Sequence, residues 1–125
     1  VSRGAKEAVF VESGKKAAAC IQDNINFTQF NDQCRLMQMD VMAAIRSLEG
    51  KGTFQIIFMD PPYRKGYINE VLQEVFDCDL PAEEAIIIAE HSVSEPPDLS
   101  LFQGKCQLWK EKKVGAIVVS YLQCR

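Results

Sequence analysis

Short apolar runs alternate with amphipathic stretches along most of the chain, and this alternation limits the possible folds more than any other feature. The apolar runs predict β-strands over residues 8–11, 35–39, 54–59 and 85–89. Apolar side chains spaced three and four residues apart predict helices over residues 14–27, 41–48 and 68–76. Alternating strands and helices are typical of a mainly parallel sheet with helices on both faces. The sequence therefore predicts an α/β fold, with residues 1–125 forming a single domain.

The last third of the chain departs from this alternation. Beyond Pro96-Pro97, the sequence predicts two strands of an antiparallel hairpin, residues 105–111 and 116–122, joined at Lys113-Val114-Gly115. Trp109 and the methionines are expected in the core. The run Phe54–Met59 is almost wholly apolar, so we expect this strand to be covered on both faces.

The first five residues have the pattern of a last helical turn, with Gly4 at the C-terminal cap. A doubly wound sheet normally opens with a strand and a glycine-rich loop before its first helix. We therefore expect that strand and loop to be missing from this sequence.

Composition excludes several classes of protein. The five cysteines form no C-x-x-C pair, which argues against a disulfide framework or a zinc site, and we expect no metal. No apolar run approaches the roughly 20 residues of a membrane span, so the expected location is the cytoplasm. The net charge of −3 offers no overall basic surplus for RNA, and Lys15 and Lys16 are interpreted as a solvated face.

The tetrapeptide Asp60-Pro61-Pro62-Tyr63 follows a predicted buried strand and carries the clearest chemical signal. Ligands of open parallel sheets lie beyond the carboxyl ends of the strands. An ionised Asp60 only accepts hydrogen bonds, and consecutive prolines fix the backbone while leaving the Pro61 carbonyl as a second acceptor. Together they can hold both hydrogens of an aromatic amino group, while Tyr63 offers a face for base stacking. This pattern predicts methyl transfer from a sulfonium donor to an exocyclic nitrogen, with catalysis by alignment.

Acidic residues also follow the two preceding strands. Glu12 can accept the hydroxyls of a ribose, and Asp40 is expected to cap the next helix while lying, with Val41, near an adenine. Glu12, Asp40 and Asp60 would line one edge of the sheet as a cofactor trough.

Four basic residues are predicted to contact RNA: Arg64, Lys65, Lys112 and Lys113. For Lys112 and Lys113, placed at the hairpin tip, a simple exposed turn is the favoured interpretation and RNA contact is the alternative. The single histidine, His91, is interpreted as a polar residue at a strand end rather than a catalytic one.

These motifs resemble the bacterial RsmD family, whose members are 16S rRNA guanine-N2 methyltransferases. The matching segments are Ser2-Arg3-Gly4-Ala5, Val9-Phe10-Val11-Glu12, the helix ending near Asn24, Asp40, Phe58-Met59-Asp60-Pro61-Pro62-Tyr63 and the Lys113-Val114-Gly115 hairpin. The resemblance implies a Rossmann-like class I fold whose last strand is antiparallel, and S-adenosylmethionine as the cofactor, with Asp60 also facing it. It implies 16S rRNA or a small-subunit assembly particle as the partner. Separately, we expect the chain to be a monomer.

Three other functions stay open at this level. An adenine-N6 or protein-glutamine methyltransferase would use the same chemistry, although such relatives more often have Asn at the position of Asp60. A nicotinamide-dependent oxidoreductase would share Glu12 but gives no reason for the Asp60–Tyr63 motif. A non-enzymatic binding module or inactive fragment is the third.

Overall fold

The computed structural model describes residues 5–61 and 66–125, and the chain divides into two compact units, Val1–Ser47 and Leu48–Arg125. The first unit contains β1 (Ala8–Val11), α1 (Lys15–Thr28), β2 (Cys34–Met37) and α2 (Val41–Leu48), whose last residue opens the second unit. The second contains β3 (Phe54–Met59), α3 (Tyr67–Asp77), β4 (Pro81–Ser92), a 3₁₀ helix (Leu99–Phe102), β5 (Cys106–Val114) and β6 (Ile117–Cys124).

The first unit is a β-α-β arrangement in which β1 and β2 pair in parallel, from Ala8 opposite Cys34 to Val11 opposite Met37. Helix α1 ends at Thr28 and is capped by Gln29, whose backbone is left-handed and whose N–H donates to carbonyls of the last turn. The buried residues of this unit come from both helices and from β2. They are Ala18, Ile25, Met37, Ala44 and Ile45.

The second unit is built on a four-stranded sheet with the order β3-β4-β6-β5. Strands β3 and β4 are parallel, whereas β6 is antiparallel to both β4 and β5. The chain therefore has the predicted α/β architecture, in which a parallel β-α-β unit is followed by a C-terminal antiparallel hairpin.

The core of the second unit forms between one face of α3 and one face of the sheet. The five apolar residues predicted to share a face of α3 are all buried: Ile68, Val71, Leu72, Val75 and Phe76. Alternate residues of β4 and β6 complete this core, among them Ile87 and Leu122, which have no exposed surface. Phe102 of the 3₁₀ helix, which no periodicity in the sequence indicated, packs its ring 5.4 Å from that of Phe76.

Two predictions about burial are wrong. Strand β3 is not covered on both faces: it is an end strand of its sheet, and Ile56 and Phe58 on one face are 67% and 62% exposed. Trp109 is 57% exposed because β5 is the strand at the other end of the same sheet. Of the four methionines, Met37 and Met59 are buried as expected, whereas Met39 and Met42 are only half-buried.

The hairpin turn lies at Gly115 and Ala116, one residue beyond the predicted position. Gly115 has a φ of 62°, a left-handed conformation that suits glycine in a two-residue hairpin loop. Within the described ranges, none of the helices has the length and apolar character needed to cross a membrane.

Candidate functional site

Glu12 lies directly after β1, where its N–H continues the sheet by donating to the carbonyl of Met37 at 3.0 Å. Its half-buried carboxylate turns back over the start of α1, with Oε2 3.5 Å from the N–H of Gly14. The partial positive charge of a helix N-terminus favours a carboxylate at this position. Glu12 is therefore held at the carboxyl end of a strand as an acceptor, which suits the two hydroxyls of a ribose.

Asp40 caps helix α2, as predicted. Its Oδ2 accepts from the backbone N–H groups of Met42 at 3.1 Å and Ala43 at 3.3 Å, and its carbonyl accepts from Ala44. These contacts satisfy donors that a helix N-terminus otherwise leaves without partners. The carboxylate is exposed, and Val41 beside it is half-buried at the first position of the helix.

Glu12 and Asp40 follow neighbouring parallel strands, so the structure brings both to the same edge of the β1–β2 sheet. A trough lined by Glu12, Asp40 and Asp60 together stays a prediction, since Asp60 belongs to the other unit. Among the described residues there is no group of three or more side chains arranged to hold a metal ion.

Asp60 and Pro61 follow β3 immediately, at the carboxyl end of a strand that pairs in parallel with β4. Asp60 is exposed and Pro61 is half-buried. Met59, one residue earlier, is buried, which fixes the end of the strand from which the two residues project. This end of a parallel sheet is where ligands bind in such folds.

The other residues of the predicted motif, Pro62 and Tyr63, lie outside the described residues, as do Arg64 and Lys65. Their assignments to catalysis and to RNA contact stay predictions. Lys112 and Lys113 are exposed, but they lie within β5, opposite Val119 and Val118, and not in the hairpin turn where the sequence interpretation placed them.

His91 is a structural residue of the second unit. It is 4% exposed, with Nε2 2.8 Å from Oγ of the buried Ser120 and Nδ1 2.8 Å from the carbonyl of Ser92. Because both ring nitrogens have partners inside the protein, the non-catalytic interpretation of this histidine is supported.

The sequence interpretation missed a cluster on the outer hairpin formed by Trp109, Lys110 and Tyr121. The Trp109 and Tyr121 rings meet edge to face at 6.4 Å, and Lys110 Nζ lies 4.7 Å from both ring centroids. Consecutive charged residues directly after Trp109 were the available signal, since a buried strand does not tolerate Lys110, Glu111, Lys112 and Lys113 in sequence.

Comparison with known proteins identifies the family. The family model described as conserved hypothetical protein 95 matches residues 1–123, so the chain belongs to that family. This membership confirms the resemblance to the RsmD family.

Two solved structures resemble the chain over nearly its whole length and exceed 25% sequence identity. A conserved hypothetical protein of Streptococcus pyogenes is 31% identical, with a TM-score of 0.87, and the match covers 99% of this chain and 75% of that one. The protein yhhF of Escherichia coli, described as a candidate methyltransferase, is 26% identical with a TM-score of 0.81, at 99% and 66% coverage.

A curated relative, YlbH of Bacillus subtilis, is named as a candidate rRNA methyltransferase. It is 26% identical over 92 residues, which are 73% of this chain. The match spans 50% of the length of YlbH.

Proposed function

We propose that this chain supplies the catalytic residues of an S-adenosylmethionine-dependent methyltransferase that modifies the exocyclic N2 amine of a guanine in 16S rRNA. The observation that carries the proposal is the position of Asp60 and Pro61. In a member of this family, an exposed carboxylate and a proline carbonyl directly follow a strand whose last residue is buried.

Asp60 and Pro61 would act by orienting the amine. The lone pair of an aromatic amine is delocalised into the ring, so the nitrogen is a weak nucleophile. Two acceptors that hold its hydrogens out of the ring plane would localise the lone pair and direct it at the methyl carbon. Fixed alignment of this kind can contribute about 7–11 kcal/mol to a reaction between two bound groups. The nitrogen becomes acidic once it is alkylated and then loses its proton readily. Asp60 therefore needs only to orient the amine, and a strong base is unnecessary.

Glu12 and Asp40 would hold the cofactor. Bound S-adenosylmethionine would supply an electrophilic methyl group on a sulfonium centre, and no metal is needed to activate it. The Glu12 carboxylate, held at the end of β1, offers the acceptors that a ribose diol requires. Asp40 has Oδ2 committed to capping α2, and this contact would fix the carboxylate and Val41 beside the adenine.

The choice of RNA and of guanine rests on a curated relative, on the family resemblance and on the identity of residue 60. YlbH is named for rRNA, and the RsmD resemblance implies guanine N2. Adenine-N6 enzymes more often carry Asn where this chain has Asp60, which favours guanine. A target base must leave its stack to reach such a site, so a loop or an assembly particle is the expected substrate.

The test is transfer of labelled methyl to naked 16S rRNA and to small-subunit particles, followed by nucleoside analysis. We expect label in N2-methylguanosine, and no label after substitution of Asp60→Ala. Label in N6-methyladenosine would replace the substrate assignment. Tighter binding of NAD than of S-adenosylhomocysteine, measured by calorimetry, would overturn the methyltransferase assignment altogether.

Two substitutions separate the roles of the site residues. Glu12→Ala should weaken S-adenosylhomocysteine binding by about 1.5–3 kcal/mol, the contribution of a hydrogen bond to a charged group. Tyr63→Ala should lower turnover and leave that affinity unchanged. Equal cofactor affinity in Glu12→Ala and in the parent would remove the ribose assignment.

A further inference from the structure

Positive charge is concentrated at the C-terminal end of an otherwise acidic chain. Residues 105–125 contain five lysines and arginines and one acidic residue, whereas the other 104 residues contain nine basic and sixteen acidic ones. The basic residues of this segment include Lys110, Lys112 and Lys113, all exposed on β5. The hairpin therefore carries the positive charge needed to bind a polyanion, whereas the chain as a whole has a net negative charge.

Strand pairing places two of these lysines on the same face as aromatic side chains. Lys110 lies opposite Tyr121 and Lys112 lies opposite Val119 in the β5–β6 pair, and directly opposed residues share a face of the sheet. A register shift between Leu108 and Lys110 leaves Trp109 outside the regular alternation, and its ring lies 6.4 Å from that of Tyr121. We call Trp109, Lys110, Lys112 and Tyr121 the hairpin cluster.

The hairpin cluster is open to solvent at the end of the sheet. Trp109 is 57% exposed, both lysines are exposed and Tyr121 is half-buried. Lysines and a bulge are also the usual protection of an end strand against pairing with other chains. That protection does not require a large exposed aromatic ring, which would itself favour association. The tryptophan is the feature that a merely protective role leaves unexplained.

We propose that the hairpin cluster is a docking surface for single-stranded RNA, separate in sequence from the Asp60–Pro61 site. An unpaired base would stack on Trp109, and Lys110 and Lys112, about 7 Å apart along the strand, would contact the phosphates on either side. Aromatic rings beside lysines are the usual means by which proteins hold single strands without reading their sequence. The choice of RNA over other polyanions rests on the proposed function. The existence of the docking surface does not, because it is argued from the exposure and charge of the hairpin cluster.

The tryptophan makes the proposal directly testable, because it is the only one in the chain. Its fluorescence would be followed while a 12-nucleotide oligouridine is added to the 125-residue chain without cofactor. We expect quenching by the single strand. A duplex of equal length, whose bases are already stacked, should bind through its phosphates without comparable quenching.

Matched variants separate charge from stacking, with affinity read from the anisotropy of a labelled oligouridine. The double variant Lys110→Gln/Lys112→Gln should lower the slope of log K against log salt by about 1.4, since each phosphate contact to a single strand contributes about 0.7. Its control is Lys15→Gln/Lys16→Gln, which removes two exposed lysines from α1 and should leave the slope unchanged. Trp109→Thr, which keeps a strand-forming residue, should weaken binding about fivefold or more, and Trp109→Tyr should restore it.

Several results would overturn the assignment. These are unquenched tryptophan fluorescence, equal salt slopes for the two double variants, and displacement of the RNA by polyglutamate as readily as by unlabelled oligouridine. A fluorescence change on diluting the chain alone would show that the hairpin pairs with a second copy instead. A chain that binds RNA in this way and transfers no methyl would remove the proposed function and leave the docking surface. If a Trp109→Thr variant kept the parental RNA affinity and still methylated particles, the docking surface would be removed and the proposed function would stand.

Discussion

Replacing Asp40 should show how much this side chain stabilises α2 through its capping hydrogen bonds and how much through its charge. Asp40→Ala removes the oxygen that accepts from the N–H groups of Met42 and Ala43, and no neighbouring side chain in α2 can take its place. Asp40→Asn keeps a capping oxygen and loses only the charge. Asp32→Ala removes an exposed carboxylate from the same unit and serves as the control.

The expected cost follows from the geometry. Loss of an N-terminal cap costs about 0.5–2 kcal/mol. We expect about 1 kcal/mol for Asp40→Ala, because the site is exposed, water can replace part of the lost bonding, and the bonds of 3.1 and 3.3 Å are of ordinary length. Asp40→Asn should cost about 0.3–1 kcal/mol, the contribution of a negative charge to the helix dipole.

Urea unfolding measures this difference. With a slope of about 2 kcal/mol per molar, Asp40→Ala should lower the midpoint by about 0.5 M, and Asp32→Ala should leave it unchanged. Hydrogen exchange at the amides of Met42 and Ala43 should accelerate in the alanine variant alone. If Asp40→Ala had the midpoint and exchange rates of the parent, the capping contact would be energetically irrelevant. In that case the fixed position proposed for the carboxylate would lose its physical basis.

Two further predictions concern the second unit. Leu72 has no exposed surface, so Leu72→Ala should destabilise the chain by about 2–5 kcal/mol. The control Leu101→Ala, at a site that is 56% exposed, should cost about 0.5 kcal/mol or less. Equal losses of stability in thermal or urea unfolding would contradict the core described above. Burial, together with the charge of Cys106, raises the pKa of Cys124 to about 11, so about one molecule in a thousand carries the Cys124 thiolate at pH 8. Iodoacetamide at pH 8 should therefore label the exposed Cys20 and spare Cys124 until the chain is unfolded, and mass spectrometry that found equal labelling would refute this burial.

Local periodicity predicted the type and order of the α-helices and β-strands of this chain. The bounds of the strand Phe54–Met59 were correct to the residue. The buried face of α3 was also correct to the residue, because apolar spacing in a helix reports directly on which side is buried. The 3₁₀ helix Leu99–Phe102 was missed, since four residues are too few to show a period.

Burial that depends on strand order could not be predicted in the same way. Trp109 and Phe58 are large and apolar, and both were assigned to covered positions. They lie on β5 and β3, which are the two ends of the four-stranded sheet. Strand order arises from pairing between distant segments, which hydrophobic spacing within one segment does not encode.

The candidate site was predictable to the extent that it depends on strand ends. Glu12 and Asp40 follow neighbouring parallel strands, so their presence at one edge follows from the chain direction alone. The turn of the Glu12 carboxylate over Gly14 was not predictable, because it depends on the path of three residues between β1 and α1. The joint trough with Asp60 stays a prediction.

Single-turnover methyl transfer by Asp60→Asn, at saturating S-adenosylmethionine and with the RNA particle as acceptor, tests the orienting role of Asp60 most directly. The substitution keeps the size of the side chain and replaces one acceptor oxygen with a donor. Removing one oriented polar group from a reaction centre typically costs about 10²–10³ in rate, and we expect a loss of that size with the protein fold unchanged. Transfer within about threefold of the parent rate would show that the carboxylate does not hold the amine.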